Sequence, residues 1–239
     1  EVSLYDHSRA AASLAVALWR WHEATARTGA EAATALRTRS DFDEQKFLLI
    51  QGDFFGIQDF IFATGGESRK HAAKLLRGRS FQVSIFTELA ALRVLDELGL
   101  PPTSQIINAA GKFMIVAPNT EDVCERLQRL RAELDDWFSA HTFGQAGVGL
   151  AWTAASCADF LRRQGERNDS TPFSKLMTRL HQQLEIAKHQ RLNLCALGGR
   201  VFSTADFTLG PCAYNGRLPA DRTIDGVASC AMSRDQKAI

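Results

Sequence analysis

The segment Lys46-Phe-Leu-Leu-Ile-Gln-Gly-Asp53 constrains the fold more than any other. It is nearly all apolar between two charged ends, the pattern of a central strand buried on both faces. Such a strand presents Asp53 at its C-terminal end. Phe55 to Phe62 then reads as a short helical turn, which Thr64-Gly65-Gly66 breaks. From Ser68 to Leu98 the sequence predicts one long helix. Its first half is basic (Arg69, Lys70, His71, Lys74, Arg77, Arg79) and its second amphipathic (Ile85, Leu89, Leu92, Leu95, Leu98), closing at Gly99 with Pro101 beyond.

Ser104 to Asn108 and Lys112 to Ala117 are predicted as short strands joined through Ala109-Ala110-Gly111. Asn119 or Thr120 caps the next helix, whose apolar positions are Val123, Leu127, Leu130, Leu134 and Phe138. Gln145 to Thr153 returns as a strand. The order strand–helix–strand–strand–helix–strand is an α+β, ferredoxin-like (βαββαβ) topology, used by polymerase palms, nucleotide cyclases and many RNA-binding domains. Residues 3 to 36 precede it as an alanine-rich helical stretch. Leu4, Ala11, Leu14, Leu18 and Trp21 share its apolar spacing, and Ser3 or Asp6 caps its start. Arg37 to Glu44 is a charged connector. A flanking helix over about Thr171 to Leu192 carries Pro172 in its first turn. The tail from Asn193, rich in Gly, Pro, Cys and Asp, reads as a small loop-rich C-terminal module. The expected divisions are residues 1–39, 40–192 and 193–239.

With 239 residues, 45% of them hydrophobic, the chain can bury a substantial core. A net charge of +1 excludes nucleic-acid binding through bulk charge and leaves only a local patch. Five cysteines, an odd number in a chain this long, fit a reducing compartment, so a cytoplasmic location is expected. No apolar run approaches the roughly 18 residues of a membrane span. The chain opens on Glu1 with no signal-peptide pattern, and it is expected to be a piece of a longer protein.

Asp53 stands where a palm's first strand delivers a metal-binding carboxylate. Two-metal nucleotidyl transfer also needs acids on the adjacent hairpin, so that both Mg2+ ions bridge the reacting oxygens. Here that hairpin offers Ala109, Ala110, Gly111 and Lys112, and a lysine repels magnesium. Asp53 is therefore either a residual metal ligand or an acid capping the turn after the strand. The basic run Arg69 to Arg79 fits either phosphate contact or a solvated helix face. The tail holds Cys212-Ala-Tyr-Asn215 and Cys230-Ala-Met-Ser233. Cys195 has no matching spacing, and Cys124 and Cys157 read as small core residues. Trp19, Trp21, Trp137 and Trp152 read as packing aromatics.

Three motifs in this order, Gly52-Asp53-Phe54-Phe55-Gly56-Ile57-Gln58-Asp59-Phe60-Ile61-Phe62, Leu76-Arg77-Gly78-Arg79-Ser80-Phe81 and Ala110-Gly111-Lys112-Phe113, resemble one family. It is the large polymerase-like subunit of type III-A CRISPR interference complexes, the Csm complexes, and the similarity covers about Ser3 to Ser233. The resemblance implies that residues 1–39 are the helical tail of an HD-type nuclease domain and 40–192 the first palm. Residues 193–239 would open a cysteine-bearing linker module, with a second palm bearing a Gly-Gly-Asp-Asp hairpin beyond. Family members cut single-stranded DNA and make cyclic oligoadenylate from ATP with Mg2+ when the complex binds target RNA. The implied partners are other Csm subunits, guide and target RNA, the second palm and, through the missing HD domain, single-stranded DNA. No membrane is implied.

Residue by residue, the resemblance implies adenine contacts at Ser80 and Ser84, beside the candidate phosphate contacts Arg77 and Arg79 of the basic run. Asp6, in Tyr5-Asp6-His7-Ser8, matches the last aspartate of the HD metal site and is either a former ligand or a helix-capping acid. Cys212 and Cys230 match one thiolate each of two Cys-x-x-Cys zinc knuckles. Asn215 and Ser233 replace the second thiolates, so zinc is not expected. The segment itself is expected to be a non-catalytic palm giving half of an ATP interface and a surface for other subunits. The alternatives are a stand-alone RNA-binding ferredoxin-like module and a degenerate nucleotide cyclase.

Overall fold

Strand β1 (Phe47–Phe55) is buried at eight of its nine positions and has neighbours on both sides in a four-stranded sheet of order β2-β3-β1-β4. β2 is Gln105–Ala109, β3 Lys112–Pro118 and β4 Gly147–Ala155. With helices α4 (Ala72–Glu97) and α5 (Glu121–Thr142) as the crossovers, this is the ferredoxin-like order. The remaining helices are α1 (Leu4–Ala24), α2 (Ala30–Thr38), α3 (Ile57–Ile61), α6 (Pro172–His189) and α7 (Ala231–Ala238). Strands β5 (Arg222–Ile224) and β6 (Val227–Ser229) form a separate hairpin. The structure, a computed structural model, describes residues 3–109, 111–161, 171–190 and 204–239. Ala110, Leu192, Asn193 and Cys195 lie outside the described residues.

By contacts the chain divides into two units. The first comprises residues 1–53, 88–131 and 149–189, and the second residues 54–87, 132–148 and 190–239. In the first unit β1 pairs antiparallel with β3 from Phe47↔Pro118 to Asp53↔Lys112. Phe47 and Leu49 face Met114 and Val116, with Ala17 of α1 and Leu176 and Leu180 of α6 in the same cluster. The alternate residues Leu48 and Ile50 are equally buried, so both sheet faces are covered. Gly52 lies opposite Phe113, and a Cβ at Gly52 would fall 2.1 Å from the Phe113 ring. Only a glycine lets that ring lie over the strand.

The N-terminal end of β1 is a buried charge. Lys46 is fully buried, and its ammonium pairs with Asp41, lies 3.8 Å from Glu44 and sits 5.1 Å over the Trp21 ring. The Arg27 carbonyl, 2.7 Å from His22 Nδ1, can only accept, so Nδ1 carries the proton and Nε2 accepts from Lys46 at 3.5 Å. Ser3 caps α1 by accepting from the Asp6 N–H. Helix α4 ends at Glu97, two residues before Gly99 (φ +59°), and there Arg20 donates to the Leu98 and Gly99 carbonyls and Arg126 to that of Glu97.

The outward and inward faces of α4 differ from the sequence expectation. Of the expected apolar positions Leu95 and Leu98 are buried, but Ile85, Leu89 and Leu92 are exposed, and Leu75, Val83, Thr87, Ala90, Ala91 and Val94 are buried. Small residues let the middle of this helix pack closely, while Leu75 and Leu95 are buried toward its two ends. Leu4 and Trp19 of α1 are likewise exposed rather than packed. In the second unit Phe54, Phe60, Phe86, Trp137 and Phe138 form an edge-to-face aromatic cluster with centroids 5.0–6.5 Å apart. The tail holds more regular structure than a loop-rich module, namely β5, β6 and α7.

Gly52→Ala should cost about 1–3 kcal/mol, because it forces a methyl into the Phe113 ring. Urea unfolding should show an earlier midpoint with an unchanged slope; an unshifted midpoint would refute the close approach.

Candidate functional site

In the first unit the candidate site is the C-terminal end of β1. Asp53 is 6% exposed. Its Oδ2 lies 2.6 Å from Lys188 Nζ on α6 and 3.8 Å from Lys112 Nζ at the start of β3. Lys188 also donates to Glu185 Oε1 at 2.8 Å, one turn back along α6. Its stem crosses β4 at Gly149, where a Cβ would meet Lys188 Cγ at 2.8 Å. Burial acts to lower the Lys188 pKa, but the hydrogen bonds it donates to Asp53 and Glu185 outweigh it and hold the ammonium above the ordinary lysine range. Asp53 is thus neutralised by protein cations, and the residues present do not fit Mg2+. The sequence showed Lys112 as the repelling charge. Lys188 was not singled out, because it lies in a separate helix and only the fold brings it to the strand.

In the second unit the motif Leu76 to Phe81 divides between two faces of α4. Arg77, Ser80 and Ser84 are exposed, as is Phe81. The Ser84 hydroxyl donates back to the Ser80 carbonyl at 3.3 Å. Arg79 is only 2% exposed and points the other way. It donates to the Ile61 and Ala63 carbonyls (2.9 and 2.7 Å), to the Tyr214 carbonyl (2.9 Å) and to Gln236 Oε1 (3.1 Å). Burial pushes the guanidinium pKa down, partly opposed by the Cys212 and Cys230 sulfurs. Arg79, expected as a nucleotide contact, instead has its donors on backbone and amide oxygens, and Gly78 beside it admits Gln236, whose carbonyl would lie 2.0 Å from a Cβ there.

The cysteine module packs on this hub. Cys212, Asn215, Cys230 and Ser233 are all buried. The Cys230 N–H donates to Cys212 Sγ at 3.4 Å, and Cys230 Sγ and Ser233 Oγ lie 3.2 Å apart. Hydrogen bonds from Cys230 and Ser233 pull the Cys212 thiol below the ordinary cysteine range, while sharing with Cys212 and burial push that of Cys230 up. The Asn215 amide donates instead to Gln145 Oε1 (3.3 Å), and its Oδ1 accepts from the Arg217 N–H (3.1 Å). Two sulfurs with these neighbours do not fit a tetrahedral zinc site, and no group of three or more metal-binding side chains occurs among the described residues. Asp6 is exposed in the first turn of α1, where its carboxylate accepts from the Ser3 hydroxyl at 2.7 Å.

A sheet of this order, an acid at the end of its first strand and a basic crossover helix are the features by which relatives can be compared. The family model described as Csm1 subunit domain B matches residues 46–198. The chain belongs to the Csm1 domain B family. A relative from Thermococcus onnurineus, named as a CRISPR system single-strand-specific deoxyribonuclease Cas10/Csm1 of subtype III-A, is 34% identical over 190 residues. Its match covers 80% of this chain and 22% of the relative. The protein of the same name from Mycobacterium tuberculosis is 28% identical over 196 residues, covering 80% of this chain and 24% of the relative. The chain therefore spans about a quarter of the length of these relatives. Among solved structures, a Csm1–Csm4 cassette in complex with pppApA superposes with a TM-score of 0.66 at 32% identity, covering 79% of this chain and 24% of that one. A cassette holding one ATP gives 0.63 at 31%, covering 79% and 23%. Among the described residues no helix is long and apolar enough to cross a membrane.

Two measurements follow from this geometry. Arg79→Ala should destabilise the chain by roughly 3 kcal/mol or more by stranding buried carbonyls, whereas exposed Arg77→Ala should stay within about 0.5 kcal/mol of wild type; equal thermal midpoints for the two would contradict the hub. A lysine pKa raised by folding stabilises fully below the unfolded value and loses that contribution as pH climbs through the folded one. Denaturation midpoints should fall above about pH 10.5, the ordinary lysine value, and Lys188→Met should flatten that alkaline fall. An unaltered pH profile in the variant would remove Lys188 from it.

Proposed function

We propose that this chain is the first palm, with flanking segments, of a type III-A CRISPR effector large subunit. Residues 1–39 would end the HD domain, 40–192 form the palm and 193–239 open the linker module. In this reading the palm is non-catalytic. It gives half of an ATP interface and a docking surface for other subunits, Csm4 among them. The observation that carries the reading is the state of Asp53: its carboxylate is paired with lysines, and the adjoining hairpin brings no acid. A palm of this composition can bind and orient a nucleotide but lacks the means to hold two magnesium ions over a reacting phosphate.

The nucleotide face is the exposed side of α4 in the second unit. Arg77 offers a planar guanidinium suited to a phosphate oxygen pair, and Ser80 and Ser84 offer hydroxyls one helical turn apart. ATP, with Mg2+ supplied on the nucleotide, would be shared with a second palm beyond this segment. Cleavage of single-stranded DNA and synthesis of cyclic oligoadenylate on binding of guide-paired target RNA belong, in this reading, to the whole parent protein within its complex.

Purified chain incubated with ATP and Mg2+ should yield no oligoadenylate, and product from it would overturn the non-catalytic reading. ATP titrated by NMR should bind weakly, roughly in the millimolar range, as expected of half an interface. Arg77→Ala should weaken it about tenfold, the size of one charge-assisted hydrogen bond. Identical affinities would remove the α4 face from nucleotide binding.

A further inference from the structure

Lys188 Nζ occupies a point 2.6 Å from an Asp53 oxygen and 2.8 Å from a Glu185 oxygen. One small cation therefore bridges two carboxylates, one from the end of β1 and one from α6. The ammonium arrives over Gly149, where the lysine stem takes the space a side chain would fill. Lys112 Nζ, at 3.8 Å, is the only other cation recorded against Asp53 among the described residues, and its side chain is more than half exposed.

We propose that Lys188 is a built-in cation occupying a latent divalent-metal position, and that its ammonium keeps this palm metal-free. Hard oxygen ligands from two carboxylates, with water completing the shell, are what Mg2+ or Mn2+ takes. A covalently tethered ammonium at the same point excludes such an ion, because two like charges cannot share it. The acid at the end of β1 is thereby kept as an anchor for α6 rather than spent on a metal. This holds whether or not the α4 face binds nucleotide.

The test uses the whole chain and Mn2+ alone, with binding followed by electron paramagnetic resonance of the free ion and folding by thermal melting. Lys188→Met keeps the stem over Gly149 and removes only the charge. It should bind one Mn2+ at least about tenfold more tightly than wild type. Asp53→Asn combined with Lys188→Met should lose that gain. Lys188→Arg, which keeps a cation, should show none. If Lys188→Met melts early, Mn2+ should raise its midpoint while leaving wild type unmoved. The inference is overturned if wild type binds Mn2+ as tightly as Lys188→Met, or if the variant neither binds Mn2+ more tightly nor regains stability from it. Retention of the ion by the double variant would also overturn it, since the ion would then sit elsewhere.

Discussion

A strand buried on both faces, with a charge at each end, is the constraint on which the first unit depends. Lys46 immediately precedes β1 and Asp53 lies near its C-terminal end, and both are almost completely removed from water. An unpaired buried charge costs several kcal/mol, so each end demands a counter-charge from elsewhere in the chain. At Lys46 it comes from Asp41 in the connector, with His22 and Trp21 of α1 closing over it. At Asp53 it comes from Lys188 of α6. The helices that flank the sheet are thus held at the strand ends by charge, while Ala17, Leu176 and Leu180 supply the apolar contact between.

The second unit solves a different problem with one arginine. The motif Leu76 to Phe81 reads as a single basic element, but a helix presents its neighbours to different sides. Gly78 and Arg79 turn inward, one to let the backbone of α7 come close and the other to satisfy three carbonyls from two segments. Arg77 and Ser80 turn outward. One short motif therefore presents Arg79 to the interior of the module and Arg77 with Ser80 to solvent, the face we propose for nucleotide, and the two sets are separable residue by residue.

The sequence made the topology legible because it rests on local signals: the apolar β1 run, Gly99 closing α4, and the repeat from Val123 to Phe138 on α5. The inner face of α4 was less legible. Alanine, valine and threonine bury along its middle while Ile85, Leu89 and Leu92 stay outside, so the apolar repeat picks out the inner face only at Leu95 and Leu98. At the site, the hairpin without acids was readable and already argued against metal catalysis. Lys188 and the inward turn of Arg79 were not, because each acquires its meaning from partners remote in sequence. Cys212 and Cys230 came from the family resemblance, and the fold adds that the Asn215 amide bonds to Gln145 and that Ser233 Oγ lies beside Cys230 Sγ.

Those remote partners also order events in time. The Arg79 guanidinium bonds to Tyr214 and Gln236, which follow it by 135 and 157 residues. During synthesis the ribosome releases Arg79 long before either acceptor exists. Until Gln236 has emerged, the first half of α4 carries a cation that cannot be buried, and the loop after α3 has carbonyls without their donor. The Arg79 hub of the second unit can therefore close only after nearly all of these 239 residues have been made.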